Sequence, residues 1–520
     1  MPADPFTIAL APLDERPVNT RYPQMIGAIA GVRVSLPPEE IRGRQRNPAD
    51  LSAVADWLRH TGTETDGAVV SVEYLAYGNL IGSRTTGESV AEALPRLAVP
   101  EEIGRHGKPV YAFNLITRIP NADDCVEEPL YWCEYGRRLH GYSRLLHRRA
   151  ANALTSDERE ALERLEAEVP VAIRTDWLNR RLRNHTVNLS LIDLLARERI
   201  ALLLITSDDT AEWGLASQEK LWLEHWLGLL APTIGDRLLI HPGADEVGSA
   251  LTARMICQFH GVRPTIHPVY AVPGGEEIIA PYEDRAVRLT VEGQIRACGA
   301  EVAPAADAAD ILLAVLPPSP RRTEFREEFA AAERADREPH YRDLFERMGE
   351  WRRAGRSVAL GDVAYPNGSD PLAMERLLAP DSPVDPSSLA AYGGWNTAGN
   401  TLGTVVAQAV CSRFIGDDPA RRRSQAAFLT HRFLEDYGYQ ARVRREARLF
   451  CERTFGRRDP DPESPEQVAA VCDAIASGLT QVLTERLQPR GIGVGLRIAP
   501  GSVRLPWRRT FEVDFTLTEE

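Results

Sequence analysis

The chain has 520 residues, 43% of them hydrophobic and 26% charged, and its 61 basic and 74 acidic side chains leave a formal net charge of −13. Such a composition fits a globular protein of about two to four domains and excludes a disordered, collagen-like or membrane-embedded chain. The acidic balance argues against sequence-independent nucleic-acid binding.

Only Lys108 and Lys220 are lysines. Gly107-Lys108-Pro109 cannot form a phosphate-binding P-loop, and neither lysine is placed as a Schiff-base nucleophile. The seven cysteines are scattered without a C-x-x-C pair, so zinc and redox motifs are not indicated, and the cysteines read as buried or incidental. With no basic leader and no apolar window of about 18 residues, a cytoplasmic address is expected and membrane association is not.

Short β-branched apolar runs alternate with polar turns and amphipathic helical patterns along the chain. The spacing predicts strands over residues 7–11, 32–36, 68–72, 110–113 and 202–206. A second set follows over 238–241, 265–270, 311–316, 357–361 and 389–392. Helical patterns between them include 176–199, 247–260, 282–297 and 399–413. Runs without clean alternation suit parallel strands buried on both faces, and alternating units predict an α/β fold. Five strands and five give two doubly wound (Rossmann- or flavodoxin-like) domains facing a cleft; a (β/α)₈ barrel with extra elements is the alternative. The expected domains are 1–235, with a helical insertion at 125–175, then 236–415, then a C-terminal region of helices and a β-hairpin at 416–520.

Polar residues crowd the ends of these runs, where α/β folds place their chemistry. Asp14, Glu15, Arg16 and Asn19 follow the first strand; Glu73, Tyr77 and Arg84 follow the third; Arg118 follows the fourth. Asp208-Asp209 and Asp245-Glu246 end two consecutive strands. Asp209 and Asp245 could be helix N-caps, but paired carboxylates at two neighbouring strand ends also suit an acid–base pair. Arg183, Asn184 and Asn188 lie on a helix feeding the Asp208 loop, and Arg180, Asn184 and Asn188 share one face. Asn367 and Asp370 follow the ninth strand, and Trp395, Asn396, Asn400 and Thr401 the tenth. The glycine-rich run 393–403 could hold an anion at a helix start or serve close packing. Thr401 has the spacing of a nucleophile elbow, with no histidine assignable to it.

The histidines form no H-x-H or H-E-x-x-H motif. No cofactor is expected; an oxygen-only Mg²⁺ or Mn²⁺ site from Asp208, Asp209, Asp245, Glu246 and Asp362 is the alternative.

The blocks Pro12-Leu13-Asp14-Glu15-Arg16-Pro17-Val18-Asn19, Tyr77-Gly78 with Ser83-Arg84, and Arg183-Asn184 with Asn188 resemble a bacterial family catalogued as domain of unknown function 4127. So do Ser207-Asp208-Asp209, Gly243-Ala244-Asp245-Glu246, Tyr282-Glu283, Asn367-Gly368-Ser369-Asp370 and the run from Gly394 to Gly403. Trp213-Gly214 departs from an expected Tyr-Gly, and Glu73 stands where Asp is usual. The resemblance spans nearly the whole chain and implies a site at these loops, without naming a reaction.

Carboxylates interleaved with Asn, Arg, Tyr and Trp favour a hydrolase, foremost a glycosidase acting on a small polar glycoside. One of Asp208/Asp209 and one of Asp245/Glu246 would serve as acid and base or nucleophile. An Mg²⁺- or Mn²⁺-dependent hydrolase or phosphoryl-processing enzyme is the second reading, and a two-lobed sugar-binding protein without catalysis the third. The partner is a small molecule, expected to be a carbohydrate; the oligomeric state is not encoded legibly.

Overall fold

Valine, isoleucine and leucine stack along the short runs, and in the computed structural model, which describes residues 5–520, these runs become the strands of two parallel sheets. The first contains β1 (Thr7–Ala11), β2 (Arg33–Ser35), β3 (Gly67–Ser71), β4 (Val110–Ile116), β5 (Leu202–Ser207) and β6 (Leu238–Pro242), in the order 2-1-3-4-5-6. The second contains β7 (Thr265–Tyr270), β8 (Glu301–Val302), β9 (Ile311–Leu316), β10 (Ser357–Asp362) and β11 (Ala391–Gly393), in the order 11-10-9-7-8. Both are open, doubly wound sheets; neither closes into a barrel. In each the order reverses beside the first strand, the position where such folds bind ligands outside the strand ends.

The run at 238–241 belongs to the first sheet rather than beginning the second: Leu203 pairs with Leu238 and Ser207 with Pro242. The short edge strand β8 takes the vacant place beside β7. Two residues long and followed by a three-residue helical turn, Ala306–Ala308, β8 carries no apolar run that could announce it.

The chain accordingly divides later than its patterns suggest. One unit comprises Met1–Glu15, Arg33–Leu251 and Tyr282–Asp284; the other comprises Arg16–Val32, Thr252–Pro281 and Arg285–Glu520. In the first, Val70, Leu203 and Ile205 of the sheet pack against Val187, Leu191 and Leu195 of the helix Val171–Ala196. In the second, Leu312, Leu360 and Tyr392 share one core with Phe433, Ile475, Leu479 and Phe515. Each such buried side chain contributes roughly 1.5–3 kcal/mol. The tail beyond 416 is thus part of the second unit's core. Its hairpin pairs β12 (Leu496–Ile498) with β13 (Leu517–Glu519), bracketing a bridge between Arg504 and Asp514.

The insertion folds as two helices, Trp132–Ala150 and Ser156–Glu168, around Trp132, Leu139, Tyr142 and Leu162. At the start of the first, Cys133 forms a disulfide with Cys125 of the preceding loop, which corrects the reading of all seven cysteines as buried or incidental. The turn at 125–131 brings the two together without any recognisable spacing motif. Of the five free cysteines, Cys257, Cys298, Cys411 and Cys451 are buried. Among the described residues no helix is long and apolar enough to cross a membrane.

Candidate active site

At the carboxyl edge of the first sheet, β4 and β5 run in register to Ile116 and Ser207, and the Asp208 amide continues the ladder to the Ile116 carbonyl at 3.2 Å. The residues that leave the two strands, Thr117-Arg118 and Asp208-Asp209, therefore lie side by side. Arg84 arrives from the short helix Leu80–Thr85, whose N-cap Asn79 accepts the Gly82 amide at 2.7 Å. Arg84 is almost fully buried and donates to Asp208; its Nη1 also reaches Glu127 (3.2 Å) and Glu128 (3.3 Å). Arg118 spans the same set, to Glu127 (2.9 Å), Glu128 (3.2 Å) and Asp209 (3.3 Å).

Two guanidiniums thus face four carboxylates, so the cluster is short of positive charge. Burial, then the neighbouring charge of Asp208, pushes the Asp209 carboxyl up to about 6, against the opposing pull of Arg118 and Arg84. Asp209 is ringed by protein yet keeps 34% of its side-chain surface open, more than any other member of the cluster. Its backbone sits in the left-handed region at φ 44, a conformation that Asp tolerates better than most residues and that recurs at functional sites. The next residue is pinned by Thr210 N donating to the Tyr282 carbonyl at 2.8 Å, and the Tyr282 side chain is exposed.

Glu73, in the short helix Val72–Tyr77 that follows β3 directly, is buried beside this cluster. Its Oε1 accepts the Leu115 amide at 2.5 Å while Oε2 has no hydrogen-bond partner. Burial pushes its carboxyl up to about 8, with Asp208 adding to the shift. At neutral pH Glu73 is therefore a neutral acid.

Other residues singled out in the sequence bind the backbone of the same unit. Arg183 donates to the carbonyls of Ser83 (2.5 Å), Thr86 (3.0 Å) and Glu88 (3.1 Å), and Asn184 donates to that of Ser83 (3.0 Å). Together they fix the turn that carries Arg84. Tyr77 lies under the Arg183 guanidinium, 4.2 Å from its ring centre. Asn188 links Asn114 to the Leu115 carbonyl, bracing β4. Glu15 accepts the Gln45 amide at 2.6 Å, and Asp14 is buried in the first unit. Glu246 folds back on its own turn and accepts the Ala244 amide at 2.8 Å. Gly243, at φ 141, makes room for it: a Cβ there would meet Glu246 Oε1 at 1.9 Å. Asp245 is likewise buried. The carboxylates that share Arg84 and Arg118 with Asp208 and Asp209 are Glu127 and Glu128, which sequence reasoning missed because they sit in a loop of the helical insertion.

The remaining residues belong to the second unit. Arg16 and Asn19 fall there, Asn19 buried and Arg16 donating to Glu512 at 3.1 Å over the ring of Trp507. Asp370 caps the helix Pro371–Leu377 through the Leu372 amide (2.9 Å) and takes Arg337 (3.1 Å) and Tyr341 (2.8 Å) on its other oxygen, so it organises its loop. Asp362 receives the Asp370 amide at 2.7 Å, and burial followed by the charge of Asp370 pushes it up to about 8. Asp362 ends a strand of the second sheet, whereas the other four carboxylates of the expected oxygen-only metal set lie on the first. Among the described residues no group of three or more His, Cys, Asp or Glu side chains is arranged to hold a metal ion. Thr401 donates its hydroxyl to the Trp395 carbonyl at 2.5 Å, a local bond that occupies the proton a nucleophile would have to lose. Asn400 and Trp395 are buried around it, and the Asn396 side chain accepts the Thr397 amide at 2.9 Å. A cavity of about 550 Å³ in this unit is lined by His267, Tyr270, Glu276, His340, Asp343 and Arg347 among others, none of them from the carboxylate–arginine cluster.

No curated protein and no solved structure matches the chain. A family model does, over residues 8–516, and it covers every loop described above. The chain belongs to that family, DUF4127, described as proteins of unknown function.

Proposed function

We propose that the protein is a hydrolase acting on a small polar glycoside, with Asp209 as general acid and Asp208 as its partner base. One observation carries the reading: an accessible carboxyl held up at about 6 sits next to a second carboxylate anchored by Arg84. Glycoside hydrolysis needs such a division between a protonated and an ionised carboxyl group. In the proposed step Asp209 gives its proton to the glycosidic oxygen as the C–O bond breaks. Asp208 accepts a proton from water as the new C–O bond forms. Arg118 and Arg84 hold the charges apart, and the exposed ring of Tyr282, tied to Thr210, offers an apolar face to a sugar.

A cytoplasmic setting is part of this proposal, and the Cys125–Cys133 disulfide is the feature that tests it, since disulfides persist mainly in oxidising compartments. Trapping thiols in freshly lysed cells decides the point: two additional labelled cysteines support the cytoplasm, and their absence overturns it. For the reaction, an aryl-glycoside and phosphoester panel with and without EDTA is the direct test. Glycoside turnover that survives EDTA supports the proposal; turnover confined to phosphoesters, or lost with EDTA, overturns it.

A further inference from the structure

The tail of the second unit carries a cationic site that the proposed hydrolysis does not use. A π-helical stretch, Phe433–Val443, leads directly into the helix Arg444–Phe455. π-turns are rare and recur at functional sites. Arg444 emerges from it 8% exposed, with its guanidinium carbon 4.8 Å from the centre of the Phe511 ring and its Nη1 donating to Gln440 Oε1 at 2.8 Å. Its Nε has no hydrogen-bond partner, and the carboxylate that raises its pKa, Glu324, acts on it through charge without a hydrogen bond. One helical turn on, Arg448 donates only to the Thr510 hydroxyl, at 3.1 Å. Burial, then the charge of Arg448, holds Arg444 down at about 10; burial and Arg458 likewise lower Arg448. Buried cations are ordinarily paired, whereas these two feel Glu324 and, at Arg448, Asp459 beyond Thr510 without a direct ion pair to either.

The loop after β10 meets the same place. Gly368 packs so closely on Gln440 that a Cβ would lie 3.3 Å from its Cβ. The preceding Asn367, held at φ 61, donates Nδ2 to Glu324 at 3.1 Å, while its buried Oδ1 has no partner. The charge of Glu324 is felt at both Arg444 and Arg448. An unmatched donor of Arg444 and an unmatched acceptor of Asn367 thus lie on the two segments that meet at Gln440.

We propose that Arg444 and Arg448 bind the oxyanion of a small hydroxylated molecule, a phosphate or carboxylate group, while Asn367 accepts a hydroxyl of the same ligand. Guanidinium groups match both oxyanions. The proposal concerns the second unit alone and stands whether or not the first is a glycosidase.

Calorimetry and thermal melting of the full chain with inorganic phosphate, malonate and glycerol 1-phosphate, at ionic strength matched by chloride, test it. Phosphate or malonate should raise the melting temperature where chloride does not, and whichever binds more tightly identifies the oxyanion. Glycerol 1-phosphate should bind more tightly than inorganic phosphate. Arg444→Gln and Arg448→Gln should each weaken binding at least roughly tenfold, while Arg445→Gln, at an exposed neighbour, should not. Asn367→Ala should abolish the preference for glycerol 1-phosphate. No effect of either oxyanion beyond chloride, or wild-type binding in Arg448→Gln, overturns the site; Arg448 is half-buried, so that variant serves even where Arg444→Gln fails to fold. A preference retained in Asn367→Ala overturns the role of Asn367.

Discussion

Arg118 reaches Asp209 across 3.3 Å, and Asp209 is the most open side chain of a cluster in which every other carboxylate is more deeply enclosed. The guanidinium lowers the Asp209 pKa against burial and the Asp208 charge, which raise it to about 6. If protonated Asp209 is the acid, activity falls as pH rises through that value. Asp209→Asn should lower kcat by about 10²–10⁴ and remove this limb of the pH–rate profile while leaving the melting temperature nearly unchanged. Arg118→Met takes away a lowering influence, so the limb should move to higher pH. A limb that stays in place in Arg118→Met assigns it to another group.

Glu73 makes a separate prediction about stability. Its carboxyl titrates near 4.5 when unfolded and near 8 when folded, so between those values the folded chain holds the extra proton. Its contribution to stability is complete below about 4.5 and is lost as pH rises through about 8. Glu73→Gln keeps the shape and cannot ionise. The fall in unfolding free energy between about pH 5 and pH 9 should therefore be smaller in the variant by a few kcal/mol, on the order of the shift's energetic equivalent. Urea unfolding at both pH values measures it, and parallel pH dependence in the two proteins would refute the buried-acid assignment.

The strands and strand-end chemistry were legible where a run was long enough to show its apolar character. Asp208, Asp209, Arg84 and Arg118 could be placed on one edge because parallel strands all deliver their carboxyl ends there. Assigning Leu238–Pro242 to the second sheet failed because order along the chain does not say which neighbour a strand pairs with; the β5 register decides it. Glu127 and Glu128 were hidden for a different reason. They lie in an irregular loop, and the Cys125–Cys133 bond together with Arg46, Arg84 and Arg118 returns them to the site. Asp370 and Arg183 looked like ligand-binding groups because buried polar residues serving the backbone have the same composition as those serving a ligand.

That loop can be tested through its disulfide. Reduction of Cys125–Cys133 by a dithiol, which is itself oxidised to a disulfide, frees the short segment carrying Glu127 and Glu128. Cross-link removal from a loop of this size costs about 2–3 kcal/mol by the chain-entropy argument. Cys133→Ser should lower stability by that order and speed proteolysis between residues 125 and 133. It should also lower the pH of the Asp209-dependent limb, since Asp209 loses the neighbouring Glu127 charge that raises its carboxyl and no longer shares Arg118 with two other carboxylates. Unchanged proteolysis of the segment in the variant would mean that the arginines alone hold it.

Arg183 offers the clearest separation of positioning from chemistry. It is 2% exposed and donates to three carbonyls, those of Ser83, Thr86 and Glu88, around the end of the helix that carries Arg84. Arg183→Met preserves length and apolar packing but leaves the Glu88 carbonyl without its donor and the Ser83 and Thr86 carbonyls to Asn184 and Arg180 alone, at a cost of about 1–3 kcal/mol, the cost of one buried unmatched group. Through the loosened turn, Arg84 loses its fixed approach to Asp208. The Asp208 charge is then less well compensated, which raises Asp209 further, so the acid limb should shift to higher pH along with the loss of stability. Arg183→Lys can satisfy one or two of the carbonyls and should recover part of both effects. A purely structural Arg183 would give the stability loss with an unmoved pH profile, and that outcome would separate the Ser83–Glu88 turn from the placement of Arg84.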